Sequence, residues 1–267
     1  MHFYTTNGES AHTQNTKAGA KNPTRPTTIA DARRLGLLPS VTTIFDVINK
    51  PFLTEWKVRE ALKMAYANPP SPFIDQNSWV SRIKAQSEEQ VGGAAELGTA
   101  VHDCIETSLD TSGSEEMKAR MFSFTDQVLE LAAPAVEYVR LMKIVGMECE
   151  QVVTDSLGYA GTIDIAGHVD GAPIIVDFKT KRTREGEDIE VPETYPWQLA
   201  AYHYAKFGLY GDIHPQAKAI NIYISTTEKG RMEVVTYERD ELVEAFDCFK
   251  ACFKLWTLKN KYSPRAK

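Results

Sequence analysis

The sequence predicts a mixed α/β domain, one central sheet flanked by helices, on three observations. Apolar residues recur at helical spacing from Ile29 to about Val145. From Glu148 the period shortens to that of strands, in short runs rich in β-branched residues. Helical patterns then interleave with strands, giving the order helices, three strands, helix, strand, strand, helix. Helices first and strands afterwards, with further helices between them, is the pattern of α+β or mixed α/β architecture.

The elements follow in order. Residues 1–27 are rich in Thr, Asn, Gly, Pro and Lys and read as a flexible leader, outside a single domain over 28–267. Scarce arginine and the intervening Glu9 argue against a transit peptide. LPSVTTIFDVI is helical, and PFLTEWKVREALKMAYA opens with Pro51 at a helix start. NPPSP after it is a break. A helical run from Ile74 to Leu109 is expected to be interrupted at Gly92-Gly93, and EEMKARMFSFTDQVLELAAPAVEYVRLMKIV follows as another helical run. ECEQVVTD, YAGTIDIAG and APIIVDFKT, separated by LGY and HVDG turns, read as a three-stranded antiparallel meander. Next come a helix, TYPWQLAAYHYAKF, ending before Gly208, the strands KAINIYIST and MEVVTYE, and a helix from Asp240 to about Lys259.

Composition bounds the function classes. Of 267 residues, 43% are hydrophobic and 25% charged, which excludes disorder for the bulk of the chain and suffices for a core without staples. A net charge of −6 argues against a polycation that coats nucleic acid, yet it permits a local basic groove. Cys104, Cys149, Cys248 and Cys252 form no C-x-x-C and are expected as core residues rather than disulfides. No apolar run reaches the roughly 18 residues of a membrane span, and the first residues lack a secretory pattern, so a cytoplasmic location is expected.

Two carboxylates and a lysine stand out. Asp164 sits in GTIDIAG, Asp177 near the end of IIVDFKT, and Lys179 two residues further on. Residues two apart on a strand share a face, so Asp177 and Lys179 project together while Phe178 turns to the opposite layer. In an antiparallel hairpin Asp164 can come alongside Asp177. Two carboxylates forced together repel unless a cation lies between them, and hard oxygen ligands suit Mg²⁺ or Mn²⁺. Phosphodiester hydrolysis needs such a grouping, with a metal to polarise the phosphate and acidify a water and a cation to steady developing charge. An Asp and a Lys two apart are ordinarily a solvated strand face with a weak surface pair. Against that stand the acid on the neighbouring strand, the apolar run leading into Asp177, and Gln198 and Tyr202 one turn apart on the downstream helix.

Asp164, the Asp177-Phe178-Lys179 run and Gln198-x-x-x-Tyr202, preceded by Gly98-Thr99-x-x-His102-x-x-x-Glu106, resemble the ordered motifs of the PD-(D/E)xK nuclease superfamily. The resemblance is to its RecB-like exonuclease branch, which includes the mitochondrial genome-maintenance exonuclease and many phage exonucleases. It spans roughly His102 to Tyr202, and PSVTTIFDVINKP also looks like phage-encoded members. It implies a restriction-endonuclease-like core over 98–267, with residues 28–97 as a helical arch that confines a strand. It further implies an Mg²⁺- or Mn²⁺-dependent exonuclease that leaves 5′-phosphates on DNA with a free end, single strands favoured, and that serves recombination, repair or genome processing.

Carried over by position, the resemblance makes His102, Asp164, Asp177 and the backbone carbonyl of Phe178 the metal ligands. Lys179 orients the attacking water or stabilises the phosphorus, and Gln198 and Tyr202 hold the phosphate or Lys179. The second acid is Asp177 where many members have Glu, which shortens its reach and keeps its charge. Thr180, Lys181, Arg182 and Trp197 are the candidate nucleic-acid contacts, with Arg184 beside them. Glu106 is either near the site or an exposed helix charge, and Tyr195 is expected in the core. Lys259, Lys261, Arg265 and Lys267 read as a tail. Some relatives hold an iron–sulfur cluster on one early and three late cysteines; with Cys248 and Cys252 as the late ones here, no cluster is expected. An endonuclease of the same fold and a catalytically silent DNA-binding module are the alternatives.

Overall fold

The computed structural model describes residues 1–17, 21–49 and 51–264. Its first elements are short. β1 (Phe3–Tyr4) pairs antiparallel with β4 (Leu38–Pro39), and β2 (Thr13–Asn15) pairs with β3 (Thr24–Pro26). Between them, α1 (Ile29–Leu35) starts on a capping box in which Thr28 and Asp31 satisfy each other's backbone N–H, and it ends at Gly36 with a left-handed φ of 68°. α2 (Val41–Ile44) runs into a 3₁₀ turn over Phe45–Val47. The described residues of the leader expected over residues 1–27 are therefore built into the domain. Phe3 is fully buried, and the Tyr4 hydroxyl lies 2.9 Å from Thr162 Oγ1. Two large apolar side chains at the head of a polar stretch are enough to dock it, since each buried ring contributes about 2 kcal/mol.

α3 (Pro51–Ala67) and α4 (Gln76–Leu109) form a long hairpin, tied where Trp79 Nε1 donates to the Asn68 carbonyl at 2.8 Å. The helices expected to form one arch thus divide: Ala32, Val41, Ile44 and Phe45 are buried in the main core, whereas α3 leaves Val58, Leu62 and Tyr66 exposed. α4 is continuous through Gly92-Gly93, where a break was expected. Two glycines cost roughly 1 kcal/mol each against alanine, less than the packing of the helix's buried C-terminal half supplies. The run expected after it is two helices, α5 (Glu115–Ser123) and α6 (Asp126–Met142), because Thr125 caps the second by accepting from the Val128 N–H.

β5 (Val145–Asp155), β6 (Tyr159–Val169) and β7 (Ala172–Lys181) form the expected meander. α7 (Thr194–Phe207) then crosses to β8 (Lys218–Ser225), which lies parallel to β7, and β9 (Met232–Glu238) completes a five-stranded mixed sheet in the order β5-β6-β7-β8-β9. α8 (Arg239–Asn260) closes the fold. β7 and β8 are central and buried on both faces, which is why they read as continuous Ile and Val runs. One face packs on α7, α8 and the N-terminal elements, through Leu199, Phe249 and Trp256. The other packs on α4 and α6, through Val101, Ile105 and Ala135. Cys104 and Cys252 are buried as expected and Cys149 is half-buried, but Cys248 is exposed, because Phe249 and Cys252 take the core face of α8.

Candidate active site

The strand register lines up three carboxylates. Cys149 pairs with Ile165 and Gln151 with Ile163, which sets Glu150 opposite Asp164. The β6–β7 ladder reaches Ile165 with Val176, and one step further Asp164 comes opposite Asp177. At Glu150 the backbone is left-handed, with φ 48°. Cys149 packs on the α4–α6 side of the sheet and Val153 on the α7–α8 side, so the alternation of faces reverses between them. Such a residue at the edge of a ladder re-aims its side chain.

α4 brings His102 against this row. Its Nδ1 lies 3.4 Å from Asp164 Oδ2, and its ring meets Phe178 edge-on at 5.8 Å. One ligand atom from each of His102, Glu150 and Asp164 lies within 4.8 Å of the others. Asp164 Oδ2 also accepts the Phe178 N–H at 2.7 Å. Asp177 is held differently. Lys179 Nζ stands 2.5 Å from its Oδ2, Asn221 Nδ2 donates to the same oxygen at 2.8 Å, and Gln198 Nε2 reaches Oδ1 at 3.4 Å while donating to the Tyr202 hydroxyl at 3.0 Å. The Lys179 ammonium sits 5.1 Å from the centre of the Tyr195 ring.

The electrostatics follow this division. Burial pushes the Asp177 carboxyl up; the Lys179 ammonium opposes this and the Asp164 charge adds to it, and the net direction is upward. Burial pushes Asp164 up too, but the His102 contact and charge, with Lys179, outweigh it and hold Asp164 below the ordinary carboxylate range. Lys179 is raised, because Asp177 and Asp164 overcome its desolvation. Glu150 keeps a solvent-exposed edge yet is pushed up to about 7 by partial desolvation and by the like charges of Asp164 and Glu106. Crowded carboxylates beside an imidazole suit a hard divalent cation, so the donor set fits the metal that the resemblance implies.

The sequence-derived residues fall into three groups. His102, Asp164, Asp177, Lys179, Gln198 and Tyr202 come together, with Phe178 between the two acids. Thr180 lies against α4 in the wall of a groove of about 340 Å³ that also takes in Ala94, Ala95, Gly98 and Glu150. The other candidate contacts lie apart: Lys181 donates to the Glu190 carbonyl, Arg182 is exposed, Arg184 pairs with Glu187 at 3.4 Å, and Trp197 packs edge-on to Phe45 at 6.1 Å, on the core. Glu106 pairs with Arg120 at 3.1 Å while lining a small cavity beside His102 and Glu150. Lys259 and Lys261 end α8, and Arg265 and Lys267 lie outside the described residues.

Sequence reasoning missed Glu150, Asn221 and Gly161. Glu150 sits in ECEQVVTD next to Cys149, from which strand alternation should have turned it away, yet both line the cavity beside His102, and its left-handed φ is what defeats that pattern. Asn221, a fully buried amide inside an apolar KAINIYIST run, was a signal that could have been read. Gly161 stands where a methyl group would strike the Tyr202 ring, so its bare backbone admits the tyrosine.

No family model matches the chain, and no curated protein does. Among solved structures, a candidate exonuclease from Eubacterium rectale is 17% identical, with a TM-score of 0.42 over 63% of this chain and 68% of its own. SSO0001 is 17% identical at a TM-score of 0.31, over 62% of this chain and 77% of its own. VC1899 from Vibrio cholerae is 14% identical at 0.23, over 92% of this chain and 65% of its own.

Proposed function

We propose that the chain is a phage-encoded, divalent-cation-dependent deoxyribonuclease of the PD-(D/E)xK type, an exonuclease that leaves 5′-phosphates and acts in recombination, repair or genome processing. One observation carries the reading: Glu150, Asp164 and Asp177 stand in a row across three strands, with His102 on one side and Lys179 on the other. His102, Asp164 and Glu150 would hold the cation, with Asp177 and the Phe178 carbonyl next in reach of the same row. When bound, the cation supplies Lewis acidity toward a phosphate oxygen and acidifies a water. Lys179 Nζ brings fixed positive charge to the phosphate, and Tyr195 and Asp177 limit where it can point. Gln198, braced by Tyr202, and Asn221 orient Asp177.

The test uses end-labelled linear and closed circular DNA, single- and double-stranded, with Mg²⁺, Mn²⁺ or excess EDTA. Metal-dependent release of 5′-phosphorylated products from linear DNA, with circles spared, supports the proposal. Robust cleavage in EDTA overturns the metal, loss of circles at the rate of linear strands overturns the exonuclease, and tight DNA binding with no cleavage leaves a silent binding module.

A further inference from the structure

Gly98 lies one turn before His102 on α4, and it faces Thr180 of β7 so closely that a Cβ at position 98 would sit 2.8 Å from Thr180 Oγ1. Real Cβ atoms essentially never approach a neighbour that closely, so an alanine there forces a shift. Nothing in the backbone calls for glycine: position 98 lies inside a helix, outside the left-handed region, and glycine is a poor helix former. The contact itself is what excludes a side chain.

Both partners of that contact are anchored. Just beyond Gly98, α4 is fixed by Val101, Cys104 and Ile105, all essentially fully buried. Thr180 is held in the β7–β8 ladder opposite Ile224 and follows Lys179 directly. Thr180 is β-branched and stiff at χ1, so turning its hydroxyl aside is opposed, and the remaining shift is passed either to His102, one turn along the helix, or to Lys179, next along the strand. We propose that Gly98 is a positioning residue whose missing Cβ sets the separation between α4, which carries His102, and β7, which carries Asp177 and Lys179. The inference rests on the functional reading above.

The experiment is a double-mutant cycle on the full chain, comparing Gly98→Ala in the wild-type background and in a Thr180→Ala background, which removes the Oγ1 that the new methyl group would meet. Mn²⁺ affinity by calorimetry, melting temperature without metal, and kcat and KM for linear DNA are read for all four proteins. In the wild-type background Gly98→Ala weakens Mn²⁺ binding by about tenfold or more and lowers kcat more than it alters KM, the scale seen when groups that orient metal ligands are disturbed. Its melting temperature holds or rises, because alanine favours the helix. In the Thr180→Ala background the same change alters Mn²⁺ affinity by about twofold or less, within the additivity expected of uncoupled sites. Equal losses in both backgrounds, no loss in either, or a melting temperature that falls along with Mn²⁺ affinity each overturn the proposal. A wild-type protein that binds no Mn²⁺ and cuts no DNA overturns the functional reading and this inference with it; a wild type that does both while Gly98→Ala matches it overturns the inference alone.

Discussion

The carboxylate of Asp164 completes a backbone ladder: its Oδ2 accepts the Phe178 N–H at 2.7 Å, just past the last β6–β7 pair, Ile165 with Val176. One side chain thereby caps an orphan donor of the sheet and faces His102 at 3.4 Å. These two duties separate by mutation. Asp164→Asn keeps an oxygen for the Phe178 N–H and should melt within about 1 kcal/mol of wild type, whereas Asp164→Ala leaves the donor unmet and should cost about 2 kcal/mol. Both should abolish Mn²⁺ binding in calorimetry. If the two variants lose equal stability, the hydrogen bond to Phe178 contributes nothing to the fold.

Glu150 should prove to be a ligand with a structural cost. Glu150→Gln removes a like charge from beside Asp164 and Glu106, so without metal its melting temperature should hold or rise. Its Mn²⁺ affinity should fall about tenfold or more, on the scale of losing one group from a metal site. Unchanged Mn²⁺ binding would leave Glu150 a bystander and return the ligand set to His102, Asp164 and Asp177.

Lys179→Ala should leave metal binding intact and strike the chemical step. The single-turnover rate at saturating DNA should fall by on the order of 10²-fold, as when preorganised charge is removed from a transition state. The variant should also lose about 3 kcal/mol of stability, because the buried Asp177 is left with its amide partners Asn221 and Gln198. Asp177→Ala, by contrast, should weaken Mn²⁺ binding while metal-free DNA affinity holds or rises. A lysine variant that retains its single-turnover rate and loses only DNA affinity would make Lys179 a phosphate anchor.

His203 gives the fold a pH dependence of its own. It is fully buried, with Nε2 3.3 Å from the Pro173 carbonyl, Phe207 against its ring, and no partner for Nδ1 among the described residues. Burial, with His214 nearby, lowers it to about 4. The unfolded chain, titrating near 6.5, therefore binds the proton more readily than the folded one, so stability is fully present above about 6.5 and falls as the pH drops toward 4. The difference is at most about 3 kcal/mol. Urea melts at pH 7 and 4.5 should diverge more for wild type than for His203→Gln; an equal divergence would assign the acid sensitivity to other groups.

Phe3 should matter as much as a central core residue. Phe3→Ala is expected to destabilise the protein by about 3 kcal/mol, the usual scale for emptying a buried ring site. A loss below about 0.5 kcal/mol in a denaturant melt would return residues 1–17 to the status of an appendage.

Most of the sheet was legible, because its strands carry their signals locally: β-branched runs, short turns and the continuous Ile and Val of β7 and β8. That Asp164, Asp177, Lys179 and His102 come together was legible through order and spacing. What escaped depends on tertiary context. The docking of Phe3 and Tyr4 needs partners far along the chain, and the continuity of α4 through Gly92-Gly93 needs packing that overrides propensity. Glu150 escaped because a single left-handed residue undoes the period-two rule from which strand faces are read.

The bond between Tyr4 and Thr162 joins residues 158 positions apart. During synthesis at roughly 5–20 residues per second, Tyr4 is therefore made on the order of ten seconds before its partner. Over that interval the Tyr4 hydroxyl has no Thr162 to meet, and this contact forms only once β6 is in place.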